Sequence, residues 1–460
     1  MTALSLALLT PWVAGVVLIV MDGRRRPVGW FAVGALIATL IAIGAVASDV
    51  LTHGPIVVTT GNWPLGVGIT LRADALGVTF ALLSVAMLTA AVVHEAVGGI
   101  AEREFPGLVV LLAAGLTGTF MTGDIFNFYV FFELALAASY VLAIYGRTPR
   151  VLGAGLVFTA VNLLGTFVFL LSVASIYRVT GTLDMNSIAE RMAVASPNAA
   201  ILIAVGFFVA FSVKLGLFPF HFWLPTVYTA ARPAVAAILS GSLANIGAYG
   251  LLRFGAGLLP RELELAAGAL IVIGAASIVY GGVLAVSRRT GSEMLAYSAI
   301  GQVGYVLVAI GIGGPVGFAA AILYTIVNAA NKTMLFLTTQ QRGAMVGGLF
   351  ALGALSIAGV PPAAGFIAKL EVFSAVVDQP ALVAIVVLGS LLSFVYAFQI
   401  YQFEHWRPDP DPAARSPADR WRQRIVPISL GGLIVALGIW PEPLLALSDA
   451  AASVLSGTVR

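Results

Sequence analysis

The sequence predicts an all-α polytopic membrane protein of about 14 transmembrane helices, with two inverted five-helix repeats and broken helices at spans 7 and 12. Three observations carry that expectation. Of 460 residues, 60% are apolar and only 10% charged, where soluble proteins carry about a quarter charged residues. Mean hydropathy is +1.01, and apolar runs long enough to cross about 30 Å of hydrocarbon recur from end to end. Finally, the only three lysines all lie inside such runs, and two of them adjoin helix breakers.

The same composition excludes other classes. The formal charge of +3 comes from 24 basic and 21 acidic residues with no basic stripe interleaved with aromatics, so nucleic acid is not an expected partner. With no cysteine and four scattered histidines, no metal site and no cofactor are expected, and no catalytic residue is assigned.

Taken in order, the first run, 3–21, has no small-residue cleavage site and reads as a retained span. Further spans fall at 28–48, 75–96, 106–122, 125–145, 153–176, 198–219, 234–256, 263–286, 294–313, 315–339, 347–376, 381–403 and 426–448. Between them, 49–74 reads as a short hairpin around Gly61-Asn62-Trp63-Pro64, 181–197 as an amphipathic helix and 405–424 as a polar loop. The resulting division is 1–105 for three N-terminal spans, 106–256 and 257–404 for the two repeats, and 405–460 for the polar loop and last span. Arginines crowd the odd-numbered loops, for example Arg24, Arg25 and Arg26, while the even-numbered ones hold fewer, among them Arg72, Arg253 and Arg261. By the positive-inside rule both termini are expected outside.

The intramembrane charges are the candidate site. A charged side chain at a helix centre costs at least about 2.5–3.5 kcal/mol on insertion scales, so Lys214, Lys332 and Lys369 are expected to face the bundle interior. A chain that uses arginine at its surface and keeps lysine inside favours a group able to release its proton, which guanidinium does not do. Glu133, isolated in an aromatic run, is the expected counter-charge of Lys214, either as a proton switch or as a static ion pair. Lys214 precedes Gly216 and Pro219, whereas Lys369 follows Pro361 and Pro362, as in inverted repeats with one broken helix each. Asn245, Gln302, Tyr324 and Asn328 are secondary candidates for holding water, and Tyr324, Asn328 and Lys332 share one helix face. Asp124 is expected at a span end, His221 in a loop, and Glu371 as a local partner of Lys369.

These residues resemble those of the antiporter-like membrane subunits shared by Mrp-type sodium/proton antiporters, respiratory complex I and membrane-bound hydrogenases. The resemblance rests on Thr122-Gly123-Asp124-Ile125-Phe126-Asn127 with Phe131-Phe132-Glu133, Lys214-Leu215-Gly216 with Pro219 and His221-Phe222-Trp223, Asn331-Lys332-Thr333, and Pro361-Pro362 with Gly365-Phe366-Ile367-Ala368-Lys369. The first stretch is most similar to the D-type subunits of Mrp antiporters. The resemblance implies a multi-pass protein of a bacterial cytoplasmic membrane, partnered by other membrane subunits and by lipid. It also implies protons and Na+ as transported ions, and a proton relay through Glu133, Lys214, Lys332 and Lys369. The sequence departs from the family at Asn245, where many relatives have lysine, and at Tyr324 and Asn328, where they have histidine. Two rivals stay open: the same kind of subunit in a redox-driven complex, and a non-conducting scaffold.

Overall fold

The computed structural model describes residues 2–63, 68–339, 341–406 and 417–456. Among these residues eighteen helices follow one another: α1 (Thr2–Val20), α2 (Arg26–His53), α3 (Ala75–Gly98), α4 (Phe105–Phe120), α5 (Ile125–Ala143), α6 (Pro149–Thr180), α7 (Met185–Met192), α8 (Pro197–Leu215), α9 (Trp223–Ala230), α10 (Pro233–Leu258), α11 (Pro260–Val286), α12 (Gly291–Ile312), α13 (Gly314–Thr338), α14 (Ala344–Ala358), α15 (Ala364–Val376), α16 (Pro380–Glu404), α17 (Pro417–Ile439) and α18 (Glu442–Ser453). Twelve are long and apolar enough to cross a membrane, and α4 and α14 are shorter apolar helices.

Local chemistry sets where the helices start. Asp74, Asp124, Thr148, Asp184 and Thr290 each cap an N-terminus by accepting a backbone N–H bond. Prolines open α6, α8, α10 and α16, where the missing N–H costs nothing. Burial then sorts the helices into layers. The most hydrophobic stretches of α10, α12 and α13 are 94%, 89% and 89% buried and form the centre, whereas those of α6, α11 and α16 are 39%, 39% and 33% buried and lie at the periphery. The centre is thus where polar groups escape lipid.

Two interruptions matter for the site. The helix α8 ends at Gly216 (φ 63°) and α14 at Gly359 (φ 83°), both in the left-handed region that favours glycine. In each, the next N–H folds back five residues, from Leu217 to Ser212 O (3.2 Å) and from Val360 to Leu355 O (2.9 Å). A cis X-Pro bond follows at the same spacing, Phe218-Pro219 and Pro361-Pro362. The expected breaks at spans 7 and 12 are therefore present. In α10, two π-helical stretches, 239–243 and 251–258, flank Asn245, a distortion often found where helices carry function.

Several expectations need correction. The last span, read as 426–448, is two helices, α17 and α18, because Trp440 and Pro441 interrupt the run. The loop 405–424 lies partly outside the described residues, and α17 already begins at Pro417. The hairpin is narrower than 49–74: α2 continues to His53, and β1 (Ile56–Thr59) pairs antiparallel with β2 (Thr70–Ala73); of the expected turn Gly61-Asn62-Trp63-Pro64, Gly61 and Asn62 lie in a 3-10 turn, Thr60–Asn62, and Pro64 lies outside the described residues. Arg253 is not in a loop. It sits within α10 with its side chain 7% exposed and ion-paired to Asp74 (2.6 Å).

Candidate proton-relay site

The three lysines are 6%, 1% and 3% exposed at Lys214, Lys332 and Lys369, so each depends on protein groups to replace water. All of the hydrogen-bond acceptors found for them are neutral. Lys214, in the last turn of α8, donates to Asn162 O (2.8 Å) and Thr166 Oγ1 (2.9 Å), both on α6, and lies 4.8 Å from the centre of the Phe132 ring. Thr166 can reach it because Asn162 and Thr166, one turn apart, face α8 together. Lys332 on α13 donates to Leu295 O and Ser298 Oγ of α12, both at 3.0 Å. Lys369 on α15 donates to Ala358 O (3.2 Å) and Ser390 Oγ (2.9 Å), with its ammonium 4.9 Å from the centre of the Tyr305 ring. Lys214 lies at the carboxyl end of the half-helix α8, and the ammonium of Lys369, carried by α15, reaches the carboxyl end of the half-helix α14 at Ala358 O; the partial negative charge there complements an ammonium.

The expected contact between Glu133 and Lys214 is not a salt bridge. Glu133 Oε1 is sealed from solvent without a hydrogen-bond partner among the described residues, while Lys214 is turned to α6. Phe132, next to Glu133 in α5, supplies the ring beside the ammonium. The two charged groups remain within electrostatic reach of one another. Glu371 is likewise not the partner expected for Lys369, because carbonyl and serine oxygens occupy that role; its charged neighbour is Asp449.

The secondary candidates separate into two groups. Asn245 commits its amide nitrogen to Ser84 Oγ (3.1 Å) on α3 and to Gly241 O (3.0 Å), so it ties α10 to α3. Gln302, Tyr324 and Asn328 come together around a cavity also lined by Asn331 and Ser356, with about 10 Å³ open to the centre of a water molecule, roughly what one buried water needs. Tyr324 donates to Gln302 Oε1, and the carbonyl oxygens of Asn328 and Asn331 have no partner, leaving acceptors for such a water. A second small cavity joins Lys214 and Asn162 to Leu239, Leu243 and Ala244 beside the first π-helical stretch. Asp124 caps α5 through Asn127 N (2.7 Å), as expected at a span end. His221 lies in the turn after the first break and bonds Tyr280 (3.0 Å).

Sequence reasoning missed the acceptors. The hydroxyl acceptors carry a signal, since Thr166 lies one turn from Asn162 and Ser390, Ser393 and Tyr396 fall at i, i+3, i+6, so helical period places each set on one face; the backbone oxygens carry none. Ser393 accepts from Tyr396 (3.1 Å), and Tyr396 is 2.8 Å from Ser298 Oγ and accepts from Gln302 Nε2 (3.2 Å). The cluster around Asp74 was also missed. Asp74 accepts from Arg253, Arg72 (2.9 Å) and Gly77 N (3.0 Å), and Arg253 Nε bonds Tyr249 (3.0 Å).

The family model described as NADH:quinone oxidoreductase/Mrp antiporter, transmembrane, matches residues 122–395, which includes every lysine. The chain is 30% identical to the D-type subunit of the Na(+)/H(+) antiporter of Alkalihalophilus pseudofirmus, over 99% of this chain and 97% of that protein. It is 33% identical to the D-type subunit of a probable K(+)/H(+) antiporter of Rhizobium meliloti, over 82% and 79%. Among solved structures, a chain of the Mrp complex from Dietzia sp. DQ12-45-1b superposes with a TM-score of 0.90 at 26% identity, covering 99% of this chain and 98% of that one. A chain of respiratory complex I from Thermus thermophilus shares the fold with a TM-score of 0.82 at 24% identity, covering 98% and 99%.

Proposed function

We propose, from the premise that this chain belongs to the NADH:quinone oxidoreductase/Mrp antiporter transmembrane family, that it is the proton-translocating subunit of a multisubunit monovalent cation/proton antiporter. It is a transporter subunit rather than an enzyme, it works beside other membrane subunits in a bacterial cytoplasmic membrane, and Na+ is the cation exchanged. The observation that carries the reading is the set of three buried lysines whose acceptors, among the described residues, are all neutral oxygens. An ammonium held only by carbonyl and hydroxyl groups can give up its proton without leaving a carboxylate unpaired, whereas a buried salt bridge broken on one side costs several kcal/mol.

Lys214 has two resting places in this mechanism. One is the α6 cradle of Asn162 and Thr166, and the other is the unpartnered carboxylate of Glu133. Close to Glu133 the ammonium is favoured; in the cradle the proton is free to move on. The relay then runs through Lys332 to Lys369, with 106–256 and 257–404 as the two inverted repeats, each contributing one broken helix.

The test is Glu133→Gln in vesicles holding the assembled complex. The amide keeps the volume and removes the charge, so assembly persists and cation-driven proton exchange is abolished. Exchange at the wild-type rate overturns the switch.

A further inference from the structure

We infer that a stripe of hydroxyl groups on α16, completed by Ser298 of α12, is the proton wire between Lys332 and Lys369. The inference rests on the function proposed above and names the residues that connect its last two lysines.

The geometry runs in one direction from Lys332. Its ammonium donates to Ser298 Oγ (3.0 Å), Ser298 Oγ lies 2.8 Å from Tyr396 Oη, Tyr396 donates to Ser393 Oγ (3.1 Å), and Ser393 donates to Gly389 O (2.7 Å). From the other end, Lys369 donates to Ser390 Oγ (2.9 Å), and Ser390 donates to Val386 O (2.9 Å), the carbonyl that also accepts from Tyr305 (3.4 Å). Ser390 and Ser393 are one helical turn apart, about 5–6 Å between their Cβ atoms, a gap one bridging water closes. Gly389 permits the approach: a methyl there would overlap the Tyr305 hydroxyl, which walls the stripe.

Each member can do what a wire requires. A hydroxyl both donates and accepts, so it can take a proton on one side while releasing one on the other. Lys332 as ammonium gives a proton to Ser298 and becomes the amine. Ser393 and Ser390 turn their hydroxyl protons from Gly389 O and Val386 O toward the water and Lys369, and Ser298, Tyr396, Ser393, the water and Ser390 then each gain one proton and lose one. The amine of Lys369 takes the proton released by Ser390 and becomes the ammonium. Nothing is oxidised and no charge is left on the way. The stripe is also insulated, because Leu391, Phe394, Val395 and Phe398 turn outward on the opposite side of the same helix.

The experiment compares Tyr396→Phe, Ser393→Ala, Lys332→Ala and Lys369→Ala in the assembled complex, with Tyr401→Phe on the same helix as control. Exchange is read in vesicles in H2O and D2O. Tyr396→Phe keeps the ring and removes only the hydroxyl. It is expected to slow exchange about a hundredfold, the low end for a positioned proton-transfer group, to raise the H2O/D2O rate ratio above wild type, and to leave assembly intact with at most a modest fall in thermal stability from the hydrogen bonds lost at Gln302 and Ser298. Ser393→Ala carries the same expectation and serves alone if Tyr396→Phe fails to assemble. Wild-type rates and isotope ratios in both, with both lysine variants inactive, overturn the wire and leave the proposed function standing. Active lysine variants instead overturn the function itself.

Discussion

Replacing Asp74 with Asn would break the buried ion cluster that joins α3 to α10. The carboxylate is 1% exposed and receives three donors, Arg253 at 2.6 Å, Arg72 at 2.9 Å and Gly77 N at 3.0 Å. In Asp74→Asn one oxygen remains to accept a hydrogen bond but the negative charge is gone, so the guanidinium of Arg253 stays buried beside Tyr249 without a counter-charge, and leaving a buried charge unpaired costs about 3–5 kcal/mol. Arg72 suffers less, being partly exposed and also bonded to Asn186. The reciprocal change, Arg253→Met, costs less, about 1–3 kcal/mol, because Asp74 keeps two of its three donors. The double variant removes both the lone charge and its cause, so its loss should fall short of the sum of the singles by about 2–3 kcal/mol. Reversible unfolding of the purified chain in mixed detergent micelles gives the four free energies of this cycle. Losses that add to within about 0.5 kcal/mol would refute the reasoning, because independent sites behave that way.

Other outcomes follow from the lysine environments. Lys369→Arg should stop exchange in the assembled complex although Ala358 O and Ser390 Oγ remain available to a guanidinium, because arginine does not release a proton at working pH; an active Arg variant removes Lys369 from the relay. The chain reconstituted alone should leak protons at most, since the buried groups of its proposed relay, Lys214, Lys332 and Lys369, are cationic when protonated and repel Na+; robust sodium-dependent exchange by the isolated chain would refute its need for partners.

Much of the fold was legible because its strongest signals are local. Apolar length places the spans, and Gly-x-x-Pro after each half-helix places the breaks at 216–219 and 359–362. The lysines were legible for a thermodynamic reason, namely that a charge in hydrocarbon has to serve some purpose. What they touch was not. Carbonyl oxygens such as Asn162 O, Leu295 O and Ala358 O leave no mark in a sequence, and a charge-matching argument naturally pairs lysine with carboxylates. That bias produced the contacts expected with Glu133 and Glu371. Arg253 was misread for a related reason: its partner, Asp74, lies 179 residues away on another helix, so proximity to a span end was the only guide.

The neutral cradles also bear on how the chain is made. A ribosome delivers helices in order, and a lysine that meets the bilayer without a partner faces an insertion penalty of about 2.5–3.5 kcal/mol. Here every lysine emerges after at least one of its acceptors: α6 precedes Lys214, Leu295 and Ser298 precede Lys332, and Ala358 precedes Lys369. Each ammonium can therefore dock on a helix already synthesised instead of waiting in lipid, and only Ser390, the second acceptor of Lys369, arrives later. The order of acceptors along the chain thus doubles as a schedule for membrane insertion.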